Sequence, residues 1–178
     1  MKRSFLILVF GLIYINTANG QLKDGDALLG PSLGFWSGSD AVTLGLNYES
    51  QVTQMGDVAS LGLGGVFRYS SFRSNNSSND YYENNYVTLG FQTNMNFNRI
   101  ADGKFVPMVG LVLGYNNVNS TRVKNNGNID DKNYNSGLWL WGQLGARYFF
   151  TPKVAGVLRI GAGNYNFNTV ELAVDFKL

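Results

Sequence analysis

From about residue 28 to the end, this chain alternates. In eight successive segments, near 28–37, 41–50, 58–70, 86–97, 104–116, 137–149, 153–163 and 169–178, apolar residues recur at every second position. A period of two belongs to β-strands whose two faces meet different surroundings. One face carries runs such as Val42, Leu44, Leu46 and Tyr48, or Val87, Leu89 and Phe91, or Val170, Leu172, Val174 and Phe176. With the small residues between them this face has about 42 positions, and none is charged. The opposite face holds Thr43, Asn47, Glu49, Arg68, Thr88, Gln92, Asn94, Gln143, Arg147, Arg159, Glu171, Asp175 and Lys177. The segments average close to the 9–11 residues that cross a bilayer at a tilt. Asn, Ser, Asp and Gly clusters fill the gaps between them, which is turn chemistry.

Alternation alone leaves open which face points outward. A soluble barrel would turn its polar face to water, and soluble surfaces run about 25–35% charged. Here only 15% of all residues are charged, and the polar face is mostly Gly, Ser, Thr, Asn and Gln. Gly45, Gly62, Gly64, Gly90, Gly110 and Gly114 all lie on it. Small residues beside a few large ones suit the crowded lumen of a narrow barrel. The aromatic residues of the apolar face are expected near strand ends, at Phe35, Tyr48, Phe67, Tyr69, Phe97, Phe105, Tyr115, Tyr148 and Phe176. Aromatic residues gathered at two rims form the girdles of a barrel that spans a membrane. The expected fold is therefore all-β, a closed antiparallel eight-stranded transmembrane β-barrel.

Connection lengths agree. The two longest connections, about 71–85 and 117–136, are the third and the fifth and so fall on one side. Thr151-Pro152-Lys153, the sixth, is a tight turn on the other. Long loops outside and short turns inside mark outer-membrane barrels, and an even strand number returns both termini to the periplasm. Residues 1–20 carry the three parts of a secretory signal peptide: Lys2 and Arg3, an apolar run from Phe5 to Ile15, and an Ala18-Asn19-Gly20 exit site. About 11 apolar residues are too few for a spanning helix. Removal of that leader leaves one barrel domain, 21–178. It also removes two of the 14 basic residues, leaving 12 against 12 acidic ones. A nucleic-acid partner needs a basic face, and a neutral chain offers none.

The chain resembles the small eight-stranded outer-membrane barrels, the OmpX-like and OmpA-transmembrane-like family with its PorT-like relatives from Bacteroidota. The resemblance rests on architecture, from the Leu29–Phe35 segment to the closing Val170-Glu171-Leu172-Ala173-Val174-Asp175-Phe176-Lys177-Leu178. It implies the outer membrane of a Gram-negative bacterium, contact with outer-membrane lipid and lipopolysaccharide, and insertion by the barrel-assembly machinery. Family members commonly end on an aromatic residue, whereas this chain ends on Leu178 with Phe176 two before it. The family also includes lipases, proteases and lipid A acyl-modifying enzymes that typically work through histidine. This chain has no His and no Cys, so Ser-His-Asp and Cys-His machinery is absent and the expectation is a protein that is not an enzyme.

No cofactor or metal site is expected. Gly62-Leu63-Gly64-Gly65 and Gly161-Ala162-Gly163 keep strand parity and lack the helix and Lys of a phosphate cradle. Asp130-Asp131 lacks calcium-loop spacing. Glu49, Arg68, Arg147, Arg159, Glu171, Asp175 and Lys177 share the inward face, and buried charges must be paired, so they are expected to form a structural charge cluster with Arg159–Glu171 as its leading pair. Tyr81, Tyr82 and Tyr134, in the two long loops, are the candidate contacts to an extracellular partner. The leading functional expectation is a structural or surface-interaction role through those loops. A narrow conduit for small or hydrophobic solutes, with Trp139 and Trp141 lining a greasy vestibule, is the alternative. A soluble periplasmic lipid-binding barrel would require the opposite facing.

Overall fold

The computed structural model describes residues 22–36, 41–75, 81–98, 104–123, 129–134, 136–164 and 169–178. Nine strands account for nearly all of them: β1 Ala27–Trp36, β2 Val42–Met55, β3 Ala59–Asn75, β4 Tyr81–Phe97, β5 Phe105–Val123, β6 Ile129–Tyr134, β7 Gly137–Thr151, β8 Val154–Gly163 and β9 Thr169–Lys177. Each of β1, β2, β3, β4, β5, β7, β8 and β9 pairs antiparallel with two neighbours. Pairing of β1 with β9 and of β4 with β5 leaves this ring without an edge. Closure lets the wall pair its N–H and C=O groups within the sheet, which hydrocarbon surroundings demand. The fold is a closed eight-stranded antiparallel barrel.

The period-two pattern sets the facing. Leu44, Leu89, Phe91, Leu111, Leu138, Leu144, Leu158 and Leu172 all point outward and are exposed, Phe91 at 82% of its surface. Their strand neighbours Thr43, Asn94, Gln143, Arg159 and Glu171 point inward and are buried. Apolar outside and polar inside is the reverse of a soluble barrel, so the soluble lipid carrier has no support in this facing. Gly56, at φ +61°, lets β2 turn directly into β3 through Met55–Ala59. At the β7–β8 turn the Thr151 hydroxyl accepts the Lys153 and Val154 N–H groups at 3.2 and 3.0 Å.

The two segments read as long loops are largely sheet. β3 runs on to Asn75, β4 begins at Tyr81 and β5 continues to Val123, so 71–75, 81–85 and 117–123 are strand. β6, a strand absent from the sequence reading, pairs with the outer end of β5 from Asn119↔Tyr134 to Val123↔Ile129. These rungs lie beyond the apolar band, where both faces of the sheet meet polar surroundings. Hydrophobic alternation vanishes there, and with it the signal that reveals a strand. The result is a lopsided barrel: β3, β4, β5 and β6 form a tall outer wall, while β1 stops at Trp36 and β9 starts at Thr169.

The longer strands also alter the relation of the aromatic residues to strand ends. Phe35, Phe97, Phe105, Tyr148 and Phe176 stand within three residues of an end, as expected. Tyr48, Phe67, Tyr69 and Tyr115 lie well inside strands that outrun the membrane. All nine keep the outward parity.

Candidate functional site

The lumen is built in tiers. At the end of the barrel that carries the short β2–β3 and β7–β8 turns, Leu22, Leu28, Val106, Phe149 and Ala155 pack into an apolar floor. The chain before β1 reaches this floor through a tight turn: Gly25 adopts φ +84° and donates its N–H to Gln51 O at 3.0 Å. Asn98 Nδ2 donates to Leu22 O at 3.0 Å, fixing the buried Leu22. Leu22 precedes the first alternating segment, so the period-two pattern gave it no role.

Above the floor lies the charge cluster. Three arginines (Arg68, Arg147, Arg159) and three carboxylates (Glu49, Glu171, Asp175) are buried together and neutralise one another. Arg147 Nε donates to Asp175 Oδ2 at 2.8 Å, and its terminal nitrogens reach Glu49 and Asn96. Glu49 also accepts from Gln51 Nε2 at 2.8 Å, and from Asn94 Nδ2 and Asn96 Nδ2, each at 2.7 Å. Burying an ion pair is tolerable only when the remaining lone pairs and N–H groups are also satisfied, and these amides do that. Asn47 and Asn94 were legible as inward residues; Gln51 lies beyond the expected end of its strand and had no such signal.

Glu171 is held differently from expectation. Its two oxygens receive Arg68 Nε at 2.7 Å and Arg68 Nη2 at 2.9 Å, a bidentate pair between β3 and β9 across the lumen. Arg159 is the register partner of Glu171 on the last hairpin, as the sequence suggested. Its guanidinium nevertheless stands 3.6 Å from Glu171 and 3.7 Å from Asp175 and makes no hydrogen bond among the described residues. The leading pair is therefore Arg68–Glu171. The two residues lie 103 positions apart in sequence, and only closure of the ring brings them together. Lys177 is not in the buried cluster. It sits at the rim, partly exposed, with Nζ 2.5 Å from Asp26 Oδ2.

The outer tier is apolar. Trp139 and Trp141, both inward as expected, stack with ring centroids 5.7 Å apart and pack with Val66 and Val112. Each is 1% exposed, so they fill the lumen where the sequence reading had them lining a vestibule. Gly161 makes room for them: a Cβ there would lie 2.3 Å from the Trp141 ring.

At the outer wall, Arg73 donates to Glu83 Oε1 at 3.1 and 2.9 Å, and its guanidinium lies 4.9 Å over the Tyr81 ring. Tyr81 and Tyr82 are strand residues of β4, on opposite faces of the sheet. Tyr134 belongs to β6 opposite Asn119; its side chain, like residues 1–20, lies outside the described residues.

No family model matches this chain, and no curated protein matches it. Solved structures do. Ail, the attachment invasion locus protein of Yersinia pestis, solved in complex with the heparin analogue sucrose octasulfate, superposes with a TM-score of 0.57 at 11% identity, over 88% of this chain and 100% of Ail. The N-terminal β-barrel domain of Pseudomonas aeruginosa OprF gives 0.56 at 13% identity, over 87% and 98%. Neisserial surface protein A gives 0.53 at 14% identity, over 86% and 95%. At such identities the likeness is one of fold: this chain has the fold of the small eight-stranded transmembrane barrels of outer membranes.

Proposed function

We propose that this protein is a non-enzymatic integral barrel of the outer membrane of a Gram-negative bacterium, exported by the signal peptide in residues 1–20. It acts as a structural or surface-interaction protein through the ribbons spanning about 71–85 and 117–136. The observation that carries this reading is the tall wall. Among the described residues three strands continue past the apolar band and recruit β6, so the chain builds a hydrogen-bonded sheet beyond that band. An ordered sheet positions Tyr81, Arg73 and Glu83 for a partner at a smaller entropic cost than a mobile loop would. Filling of the lumen by the charge cluster and by the Trp139–Trp141 pair supports this reading over a conduit, because eight-stranded interiors packed by side chains leave no aqueous channel.

Cell fractionation followed by boiled and unboiled gels tests the proposal. An outer-membrane band whose mobility shifts on boiling is the expected result. A soluble periplasmic protein with no shift would overturn it.

A further inference from the structure

Among the pairings of the ring, only β1–β9 joins the two ends of the chain. The others join strands near in sequence, whose connection keeps the partners close. The seam has no such help, and closing so long a loop costs more chain entropy.

It is also broken. Its register runs Leu28↔Lys177 and Leu29↔Phe176, then resumes at Ser32↔Ala173, without rungs at Gly30 and Pro31. Pro31 has no N–H to give across the seam. The gap lies in mid-strand among the outward Leu29, Leu33, Leu172 and Val174, where hydrocarbon supplies no substitute donor. The register shifts in β2–β3 and β7–β8 fall instead beside their turns.

Residues 22–26, just ahead of β1, tie down what the seam leaves loose. Leu22 is fully buried against side chains of β1, β5, β7 and β8, and Asn98, just past β4, donates to its carbonyl. Gly25 N–H donates to Gln51 O, and Gln51 N–H to Asp26 O at 2.8 Å, which fixes the segment to β2. Asp26 reaches β9: its Oδ2 takes the Lys177 ammonium and also accepts the Lys23 N–H at 2.7 Å. Beside it, Leu178 N–H donates to Ala27 O at 2.9 Å. One short segment thus touches both seam strands and the far wall. These partners stand together only in a closed ring, so the segment seats after β1 has met β9. Parting the two strands would then drag Leu22 out of the floor and break the Asp26–Lys177 pair.

We propose that residues 22–26 are a strap that fastens the β1–β9 seam once the ring has closed. The inference goes beyond the surface role above and rests on the barrel alone.

The test is thermal unfolding of the protein in detergent micelles, followed by tryptophan fluorescence, for wild type, Leu22→Ala and Asp26→Asn. Each is measured alone and in two cross-linked backgrounds, which the absence of native Cys keeps unambiguous. Leu29→Cys/Phe176→Cys staples register partners across the seam, and Phe67→Cys/Leu89→Cys staples the β3–β4 hairpin instead. Opposed residues of this kind lie within disulfide reach. Without a cross-link Leu22→Ala should lower the midpoint by roughly 10 °C, and Asp26→Asn by less. The seam staple should remove most of that deficit relative to its own wild-type background, whereas the hairpin staple should leave it whole. No deficit in either strap variant overturns the proposal. So does a deficit of equal size in both stapled backgrounds, since Leu22 would then act only as floor packing. A Leu22→Ala chain that folds only with the seam stapled supports the strap. One that folds with neither staple counts against it, because a fastened seam no longer needs a strap.

Discussion

At the scale of single residues, the lumen separates two arginines that sequence treats alike. Arg147 and Arg159 both alternate inward and both are fully buried, yet among the described residues Arg147 holds Glu49, Asp175 and Asn96 while Arg159 makes no direct hydrogen bond. Removing one partner of a buried, hydrogen-bonded ion pair costs about 3–5 kcal/mol, because the charges left behind stay buried without compensation. Arg147→Met strands Glu49 and Asp175 together and should destabilise by about that amount. Arg159→Met deletes no hydrogen bond and leaves Glu171 with Arg68 and Asp175 with Arg147, so its cost should be clearly smaller. Urea unfolding in detergent micelles measures both, and equal losses would contradict the assignment of Arg147 as the hub.

At the scale of elements, two neighbouring glycines on β3 face opposite ways and should tolerate change differently. A Cβ on Gly64 would lie 1.8 Å from Tyr48 O, whereas a Cβ on Gly65 meets nothing closer than 3.7 Å. Gly64→Val should therefore prevent β2 and β3 from pairing in register and abolish the compact unboiled band on a gel. Gly65→Ala should fold as wild type; a parallel loss in both variants would mean that the inward crowding at Gly64 is not the cause. The outer ribbons are elements of another kind, since their rungs lie beyond the ring that closes the barrel. Replacing 72–84 and 118–135 with short turns should leave the heat-dependent mobility shift intact while removing any surface binding. A shortened chain that fails to insert would show the tall wall to be part of the folding unit.

For the whole molecule, three occluding tiers stand in series: the floor under Phe149, the neutral cluster of three arginines and three carboxylates, and the stacked Trp139–Trp141 pair. A pore would have to breach all three. Purified protein in planar bilayers should therefore give no step conductance, and Trp139→Ala/Trp141→Ala alone should not create one, because the charge cluster below remains. Regular single-channel steps from the wild type would return the conduit to first place.

Much of this was legible in order of residues alone. Leu44, Leu89 and Phe91 against Thr43, Asn94 and Arg159 determined the strand pattern, because a strand's side chains must alternate, and the outward facing of the apolar side followed from a polar face too poor in charge and too rich in glycine for a solvated surface. The inward set Glu49, Arg68, Arg147, Arg159, Glu171 and Asp175 was legible for the same reason. Which of them pair was not. Arg68 and Glu171 meet because curvature brings β3 and β9 face to face across the lumen, a distance that parity along one strand does not encode. Adjacency on the last hairpin favoured Arg159, yet only the three-dimensional ring shows that Arg68 reaches Glu171 with better geometry. The height of the outer wall was likewise decided in three dimensions. Ser71, Asn85, Asn119 and β6 form strands through cross-strand backbone bonds while both their faces lie outside the apolar band. A sheet wetted on both sides leaves no hydrophobic period in its sequence.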